Sequence, residues 1–567
     1  MSASSKKKLR KEQQAMQMTE KQQQASKEAK KLKIYTIAFV LVMAIVVAVF
    51  VGNILYKSLD IPGVVARHDT VLEVNDHDVS AVELSYFYID AISNQYNSWY
   101  NDYGDYTAMM LAYMYGLDVT SPLNKSYYDT DKTVTWADMF ANQAIADATE
   151  VYTLYDAAKA AGHKLSDEEK ANVDAIIHNI EHVAKDNGFK SMGDYLVAMY
   201  GTGANKDTYR SYLTASALAN SYRTAYADSL TFTDAEREAN LAENPNDYST
   251  FSYTSYLLKA EDFYQGGTKA EGSDTITYSE EEKSAGRADC KMAADSIMIA
   301  KPKNAAELNK AIANLKIYKN KTDENGITVA APTATPNSDV TYNYISSTYR
   351  DWVTDSTRKT GDFTIIPVTS SITNEDGTKS DITTGYYALI FDGRNDYEEN
   401  TVTVRHILIG FEGGTKVDGV TTYSDAEKLE AKTKAEEVLA QFNATGKTPD
   451  DFAALVEANS TDPGSKYNGG LYSHILPGQM VENFDNWIFD EGRKSGDCEI
   501  VETEYGYHLI YFVEADELNY RDYMIDSTLR NEAVNTWLDT LVDGAKIGEK
   551  DISTLELDFV ISPYSYN

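Results

Sequence analysis

Cysteine is almost missing from this chain: 567 residues hold only Cys290 and Cys498. That excludes the disulfide framework of a small stapled domain, so apolar cores must hold the folded parts together. A single bridge between the two stays open. Basic residues are also scarce, with 52 Lys and Arg against 87 Asp and Glu and a formal net charge of −35. A surface of that sign repels phosphate, which excludes wrapping a nucleic-acid backbone.

The few basic residues are unevenly placed. Residues 1–33 hold ten Lys and Arg against three Glu. Next comes Ile34–Tyr56, an uncharged and mostly apolar run. At about 1.5 Å per residue a helix of this length crosses a hydrocarbon layer of about 30 Å. The Lys-rich flank predicts a cytoplasmic N-terminus, with the acidic bulk on the other side. Val51-Gly52-Asn53 is a poor cleavage site for a signal peptide, and no cysteine near the end of the run could carry a lipid. The expectation is a single-pass, uncleaved anchor.

After the anchor, Val71–Val79 reads as a hairpin turning at Asn75-Asp76. Residues 80–246 read as mostly helical, with capping boxes starting at Ser80, Ser166 and Thr233. The aromatic residues between Tyr86 and Tyr115 suit either a core or a surface for unfolded peptide, and pattern alone does not separate the two. From Tyr248 short strands alternate with helices. Trp352, Asp355, Arg358, Lys359, Gly361 and Asp362 recur 135 residues later as Trp487, Asp490, Arg493, Lys494, Gly496 and Asp497. Gly385-Tyr386-Tyr387 recurs as Gly506-Tyr507-His508. This self-similarity predicts two copies of one domain. Beyond them Asn519–Asp543 reads as an amphipathic helix, followed by a strand-like Leu555–Ile561. A lone helix cannot bury its stripe, so it is expected to pack back on the first helical region.

The second copy carries the residues suited to chemistry. Its motifs are the strand Arg405-His406-Ile-Leu-Ile, then Asp451-Phe-Ala-Ala-Leu, Ser460-Thr-Asp462-Pro-Gly-Ser with Gly469-Gly470-Leu471, Pro477-Gly-Gln-Met480-Val with Phe484, and Tyr505-Gly-Tyr-His508. Together they resemble the parvulin (rotamase) family, and in particular exported foldases of the PrsA, SurA and PpiD kind. The resemblance implies an α+β fold and peptidyl-prolyl cis/trans isomerase activity without cofactor or metal. His406 and His508 fall on the family's facing histidines, Asp462 on the acid beside the reacting bond, and Thr503 and Tyr505 on polar positions linked to the histidines. Leu471, Met480 and Phe484 fall on the floor and walls of the proline pocket. Tyr505 departs from the serine commoner there. A single lysine after the first strand, Lys416, implies no selectivity for phosphorylated Ser/Thr-Pro.

The first copy lacks this constellation. Tyr387 stands at the position of His508, and Ser255 or Thr254 at that of His406. Ile345 and Tyr349 stand where Met480 and Phe484 do. This copy reads as a degenerate, inactive parvulin-like domain. One further motif, His178-Asn-Ile-Glu181-His182, has the spacing of an inverted zinc-protease site, but its setting is that of a solvated amphipathic helix.

The expected layout is α+β: a basic cytoplasmic tail (1–33), a transmembrane anchor (34–56), a helical SurA-like chaperone domain (57–246), a degenerate parvulin-like domain (247–398), an active one (399–516), and a C-terminal segment (517–567) completing the chaperone domain. The expected partners are unfolded or nascent exported chains with X–Pro bonds, and the membrane through the N-terminal helix. A homodimer is compatible with this reading, and nucleic acid is not a partner. The expected location is the outer face of the cell membrane, with a Gram-positive bacterium favoured by the resemblance. A weakly catalytic or non-catalytic holdase is the alternative.

Overall fold

The computed structural model describes residues 61–269, 275–319, 321, 326–373, 377–417, 420–548, 552, 555 and 557–561. The basic tail and the apolar run Ile34–Tyr56 lie outside the described residues. Among the described residues, no helix is long and apolar enough to cross a membrane. The fold is mixed α+β and divides into two compact units. One runs through Leu230 and resumes at Glu532, and the other spans Thr231–Asn531.

The first unit begins with α1 (Ile61–His68) and the hairpin β1 (Thr70–Val74) and β2 (His77–Ser80). Asn75 turns the hairpin with φ of 53°, a left-handed conformation that Asn tolerates well. Helices α2 (Ala81–Tyr103), α3 (Thr107–Tyr115), α4 (Trp136–Ala160), α5 (Asp167–Asp186), α6 (Met192–Tyr200) and α7 (Lys206–Ser229) follow. The starts of α2, α4 and α5 carry reciprocal capping boxes at Ser80/Glu83, Thr135/Asp138 and Ser166/Glu169, which satisfy N–H groups the helix cannot pair itself. The aromatic belt divides between two environments. Tyr86, Phe87, Tyr88 and Trp99 are buried, whereas Tyr100, Tyr106, Tyr113 and Tyr115 are exposed.

The second unit opens with α8 (Asp234–Glu243) and then shows the same design twice. In the first instance β3 (Thr250–Lys259) leads to a small hairpin of β4 (Thr268–Lys269) and β5 (Ile276–Thr277). Helices α9 (Glu280–Ala300) and α10 (Ala305–Ala313) come next, then β6 (Thr335–Thr341), the short α11 (Arg350–Thr354), β7 (Phe363–Thr373) and β8 (Lys379–Asn395). In the second, β9 (Asn400–Gly410) is followed by the hairpin β10 (Thr415–Val417) and β11 (Val420–Thr422). Then come α12 (Asp425–Asn443), α13 (Pro449–Asn459), β12 (Leu471–Ile475), α14 (Glu482–Ile488), β13 (Cys498–Thr503) and β14 (Gly506–Asn519). The two antiparallel sheets have strand orders β6-β3-β8-β7 and β12-β9-β14-β13.

The correspondence extends to single hydrogen bonds. Glu282 and Glu427 each close a capping box on α9 and α12 and also accept from a backbone N–H of the preceding hairpin, Gly267 at 2.9 Å and Gly414 at 2.8 Å. Gly361 and Gly496 donate to the carbonyls of Phe391 and Phe512 at 2.8 and 2.9 Å. Each sheet is packed on both faces. In the second instance Ile407, Leu509 and Phe452 fill one side, while Val404, Ile510, Phe484 and Trp487 fill the other. Cys290 and Cys498 are both unpaired.

Helix α15 (Tyr520–Asp543) closes the described architecture. Its first half belongs to the second unit, where Asp526 takes a bidentate pair from Arg237 of α8 at 2.7 and 2.9 Å. That pair ties α8 to α15 within the unit that runs from Thr231 to Asn531. The second half of α15 places Leu538 against Leu154 and Ala219, and stacks Trp537 on Tyr226 at 4.1 Å. Beyond it, among the described residues of the segment expected to be a strand, Val560 bridges Pro122 and the Leu123 N–H donates to the Phe559 carbonyl at 2.9 Å.

Candidate active site

His406 and His508 reach the same place because β9 and β14 are neighbours at the sheet centre. The antiparallel register sets His406 opposite Ile510 and His508 opposite Leu408. Side chains two residues apart on a strand share a face, so the two imidazoles meet on one side of the sheet. Their Nδ1 atoms are 3.2 Å apart and both rings are buried.

Polar partners extend the pair at each end. His406 Nε2 lies 3.1 Å from Asp462 Oδ2 and 2.9 Å from Ser465 Oγ. His508 Nε2 lies 2.9 Å from Thr503 Oγ1. Asp462 Oδ2 also accepts from Ser465 Oγ at 2.5 Å, the Ser465 N–H at 3.0 Å and the Tyr472 hydroxyl at 3.0 Å. The Tyr472 ring stacks on His406 with centroids 4.9 Å apart, and Phe484 meets both histidines edge-on at 5.6 and 5.2 Å.

These contacts set the ionisation. Hydrogen bonding to His406 holds the Asp462 carboxyl well below the usual carboxylate range, against the opposing effect of its burial, with further help from Ser465 and Tyr472. Burial, reinforced by the neighbouring His406, pushes His508 down to about 3. His508 is therefore neutral at physiological pH and carries one ring proton. With Asp462 ionised, His406 Nε2 must present its N–H to the carboxylate. The two Nδ1 atoms share one hydrogen bond, and the Thr503 hydroxyl lies within hydrogen-bond distance of both His508 Nε2 and the Gly506 carbonyl. The carboxylate thus anchors one end of a row that runs Thr503, His508, His406, Asp462.

The remaining expected residues are placed less uniformly. Phe484 is buried beside the histidines, while Leu471 and Met480 are half-buried. Tyr505 is 59% exposed and joins the site through its backbone, its N–H donating to Thr503 Oγ1 at 3.2 Å. Two residues that pattern did not single out are central: Ser465, inside the quoted Asp-Pro-Gly-Ser turn, and Tyr472, next to Leu471. Ser465 is buried and bonded to both His406 and Asp462, a place visible only once the turn is folded.

In the first sheet, register places Ser255 opposite Leu389 and Tyr387 opposite Leu257. Ser255, not Thr254, therefore corresponds to His406. Asn337 bonds Ser255 at 3.1 Å, and Tyr387 meets Tyr349 edge-on at 4.9 Å, as His508 meets Phe484. Among the described residues, no acid corresponding to Asp462 bonds Ser255. Elsewhere, His178 and His182 are exposed on α5 with Nε2 atoms 3.1 Å apart, and Glu181 pairs with Lys206. Among the described residues no group of three or more His, Cys, Asp or Glu side chains is placed to hold a metal.

A central pair of antiparallel strands carrying facing histidines, with an ionised acid at one end, defines a parvulin-class domain. Residues 390–516 match the family described as the PPIC-type PPIase domain, and part of the chain is similar to PrsA foldase proteins. The foldase protein PrsA of Exiguobacterium sibiricum is 33% identical over 89 residues, 16% of this chain and 28% of the relative. Foldase protein PrsA 3 of Bacillus anthracis is 34% identical over 129 residues, 22% of this chain and 41% of the relative. The chain thus spans less than half the length of either relative. The crystal structure of PrsA from Bacillus subtilis is 14% identical, covering 76% of this chain and 95% of that one with a TM-score of 0.24.

Proposed function

We propose that this protein is a membrane-anchored peptidyl-prolyl cis/trans isomerase and chaperone that assists folding of exported proteins. The observation that carries the reading is the buried His406–His508 pair, oriented by Asp462, inside a segment that matches the PPIC-type PPIase domain. Rotating an X–Pro bond must overcome about 18–20 kcal/mol of lost amide resonance. No covalent step is required. Leu471, Met480 and Phe484 would hold the proline ring, while fixed polar groups favour the twisted amide over the planar one. His406 and His508 act as organisers that hold Asp462 and Thr503 in place, rather than as proton carriers. Tyr505 contributes its backbone N–H to Thr503.

The remaining assignments follow the sequence. Ile34–Tyr56 would anchor the chain with residues 1–33 in the cytoplasm, in a Gram-positive envelope. The helical part before residue 247 and the C-terminal segment would hold unfolded clients. The first parvulin-like domain would be inactive, a reading supported by Ser255 and Tyr387 at the histidine positions. Proline-limited refolding tests the isomerase reading, comparing wild type, His508→Ala and a chain lacking 401–516. Acceleration by wild type and its loss in both variants are expected, and equal rates in all three would refute it. A holdase in which catalysis is dispensable is the second reading, favoured by the exposed aromatic residues around α3.

A further inference from the structure

Helix α3 (Thr107–Tyr115) contains no charged residue. A helix apolar on every side belongs in a core, yet only Thr107 and Leu111 of α3 are buried. Met109, Tyr113, Met114 and Tyr115 are exposed, Tyr113 to 86%, and Tyr106 just before the helix is exposed to 68%. Of 24 exposed large apolar side chains among the described residues, eight fall between Tyr100 and Tyr128. That concentration makes a patch, not the single scattered residues every surface carries.

The patch has a fixed base. Trp99 and Trp136 are buried beneath it with centroids 5.7 Å apart; Trp99 lies 5.9 Å from Tyr115, and Tyr128 stands edge-on to Trp136 at 4.9 Å. Exposed tyrosines over a rigid aromatic floor offer contact area at small entropic cost, and methionines adapt to side chains of varied shape. Charge selects the occupant. Residues 100–131 hold five Asp and one Lys, which disfavours an anionic lipid surface. Tyrosine ring faces and carboxylates together attract Lys and Arg.

We propose that α3 and the rings around it form a docking ledge for extended polypeptide segments that combine aromatic or aliphatic side chains with Lys or Arg. This rests on the chaperone reading above and names the client chemistry. The test uses the full chain, a labelled unstructured peptide of Leu, Phe and Lys, and its twin with Glu in place of Lys. The Lys peptide should bind at least tenfold tighter than the twin. Combined Tyr106→Ser, Met109→Ser and Tyr113→Ser should weaken it at least fivefold while leaving prolyl isomerisation of a short peptide unchanged. Should the triple variant fail to fold by circular dichroism, the single Tyr113→Arg gives the same test, since it adds a repelling charge at an exposed position. Equal binding of both peptides, or variant binding equal to wild type, overturns the proposal. So does a patch-dependent response that reports another occupant: vesicle binding that the variant loses, or a dimer that it dissociates. Suppression of aggregation of a denatured protein separates the two layers. Suppression that the variant keeps removes the ledge and leaves the chaperone reading, whereas peptide binding without suppression does the reverse.

Discussion

His508 and His406 bring their Nδ1 atoms to 3.2 Å, and His406 turns its other ring nitrogen to within 3.1 Å of the Asp462 carboxylate. An N–H belongs on that nitrogen, because a bare lone pair there would face a negative charge. The consequence is a row of side chains anchored at one end in an acid held ionised.

Stability should fall as the pH is lowered from neutrality. His508 titrates near 3 in the folded chain and near about 6.5 when unfolded. Between these values the unfolded chain binds more protons, so stability rises with pH, by at most about 1.4 kcal/mol per unit. Asp462, held below its ordinary range, adds a further loss once the pH drops below about 4. Hydrogen exchange of the β9 and β14 amides between pH 7 and 4 measures this. The slope should flatten in His508→Gln, and an unchanged slope in that variant would count against a neutral buried His508.

Tyr472 should matter for rate more than for folding. Its hydroxyl donates to Asp462 at 3.0 Å and its ring stacks on His406. Tyr472→Phe leaves Asp462 the hydrogen bonds from Ser465 and the contact with His406 but removes one that helps fix the carboxylate in the site, so it should lower kcat/KM about tenfold, a change of about 1.4 kcal/mol in the barrier. Tyr472→Ala should lower it further by freeing the His406 ring. Peptide isomerisation kinetics with an unchanged far-ultraviolet spectrum would check both.

Much of this site was legible beforehand because strand alternation is local. Val402–Ile409 reads as a strand from its side chains, and the order of elements makes β9 and β14 partners, so His406 and His508 are paired by topology. Ser465 and Tyr472 were not legible in the same way. Ser465 reaches His406 through the turn at Lys466–Asn468, and Tyr472 lies beside a register shift between Tyr472 and Ile475. Neither irregularity has a periodic signature. Likewise the matching bonds of Glu282 to Gly267 and Glu427 to Gly414 sit at a different sequence offset from the Trp/Asp/Arg repeat. Insertions of unequal length hide the match until the hairpins are folded.

The first sheet should contribute no isomerase activity. Its register puts Ser255 and Tyr387 where the second has His406 and His508, and Ser255 pairs with Asn337 instead of an acid. His406→Ala in the full chain should therefore remove at least about 99% of the activity, the scale of a 10²-fold contribution from positioned polar groups. Adding both Ser255→His and Tyr387→His to that variant should restore none of it. Residual turnover sensitive to Tyr387 would show that the first sheet catalyses after all.

Gly470 should tolerate no side chain. It has φ of 73°, and its carbonyl accepts the His406 N–H at 2.8 Å. A Cβ there would stand 2.4 Å from the His406 carbonyl oxygen and 3.0 Å from Val456. The first of these is backbone in the central strand, which cannot move without carrying the imidazole with it. Gly470→Ala thus combines a left-handed conformation that disfavours alanine with a clash against the strand bearing the site. It should destabilise this domain by more than about 1 kcal/mol, and the displaced ring should lose its geometry to Asp462. Gly478→Ala provides the control, because Gly478 has φ of 82° but nothing within 4 Å of the added carbon. Both variants should lower the melting temperature, while Gly470→Ala alone should reduce isomerisation at temperatures where both remain folded.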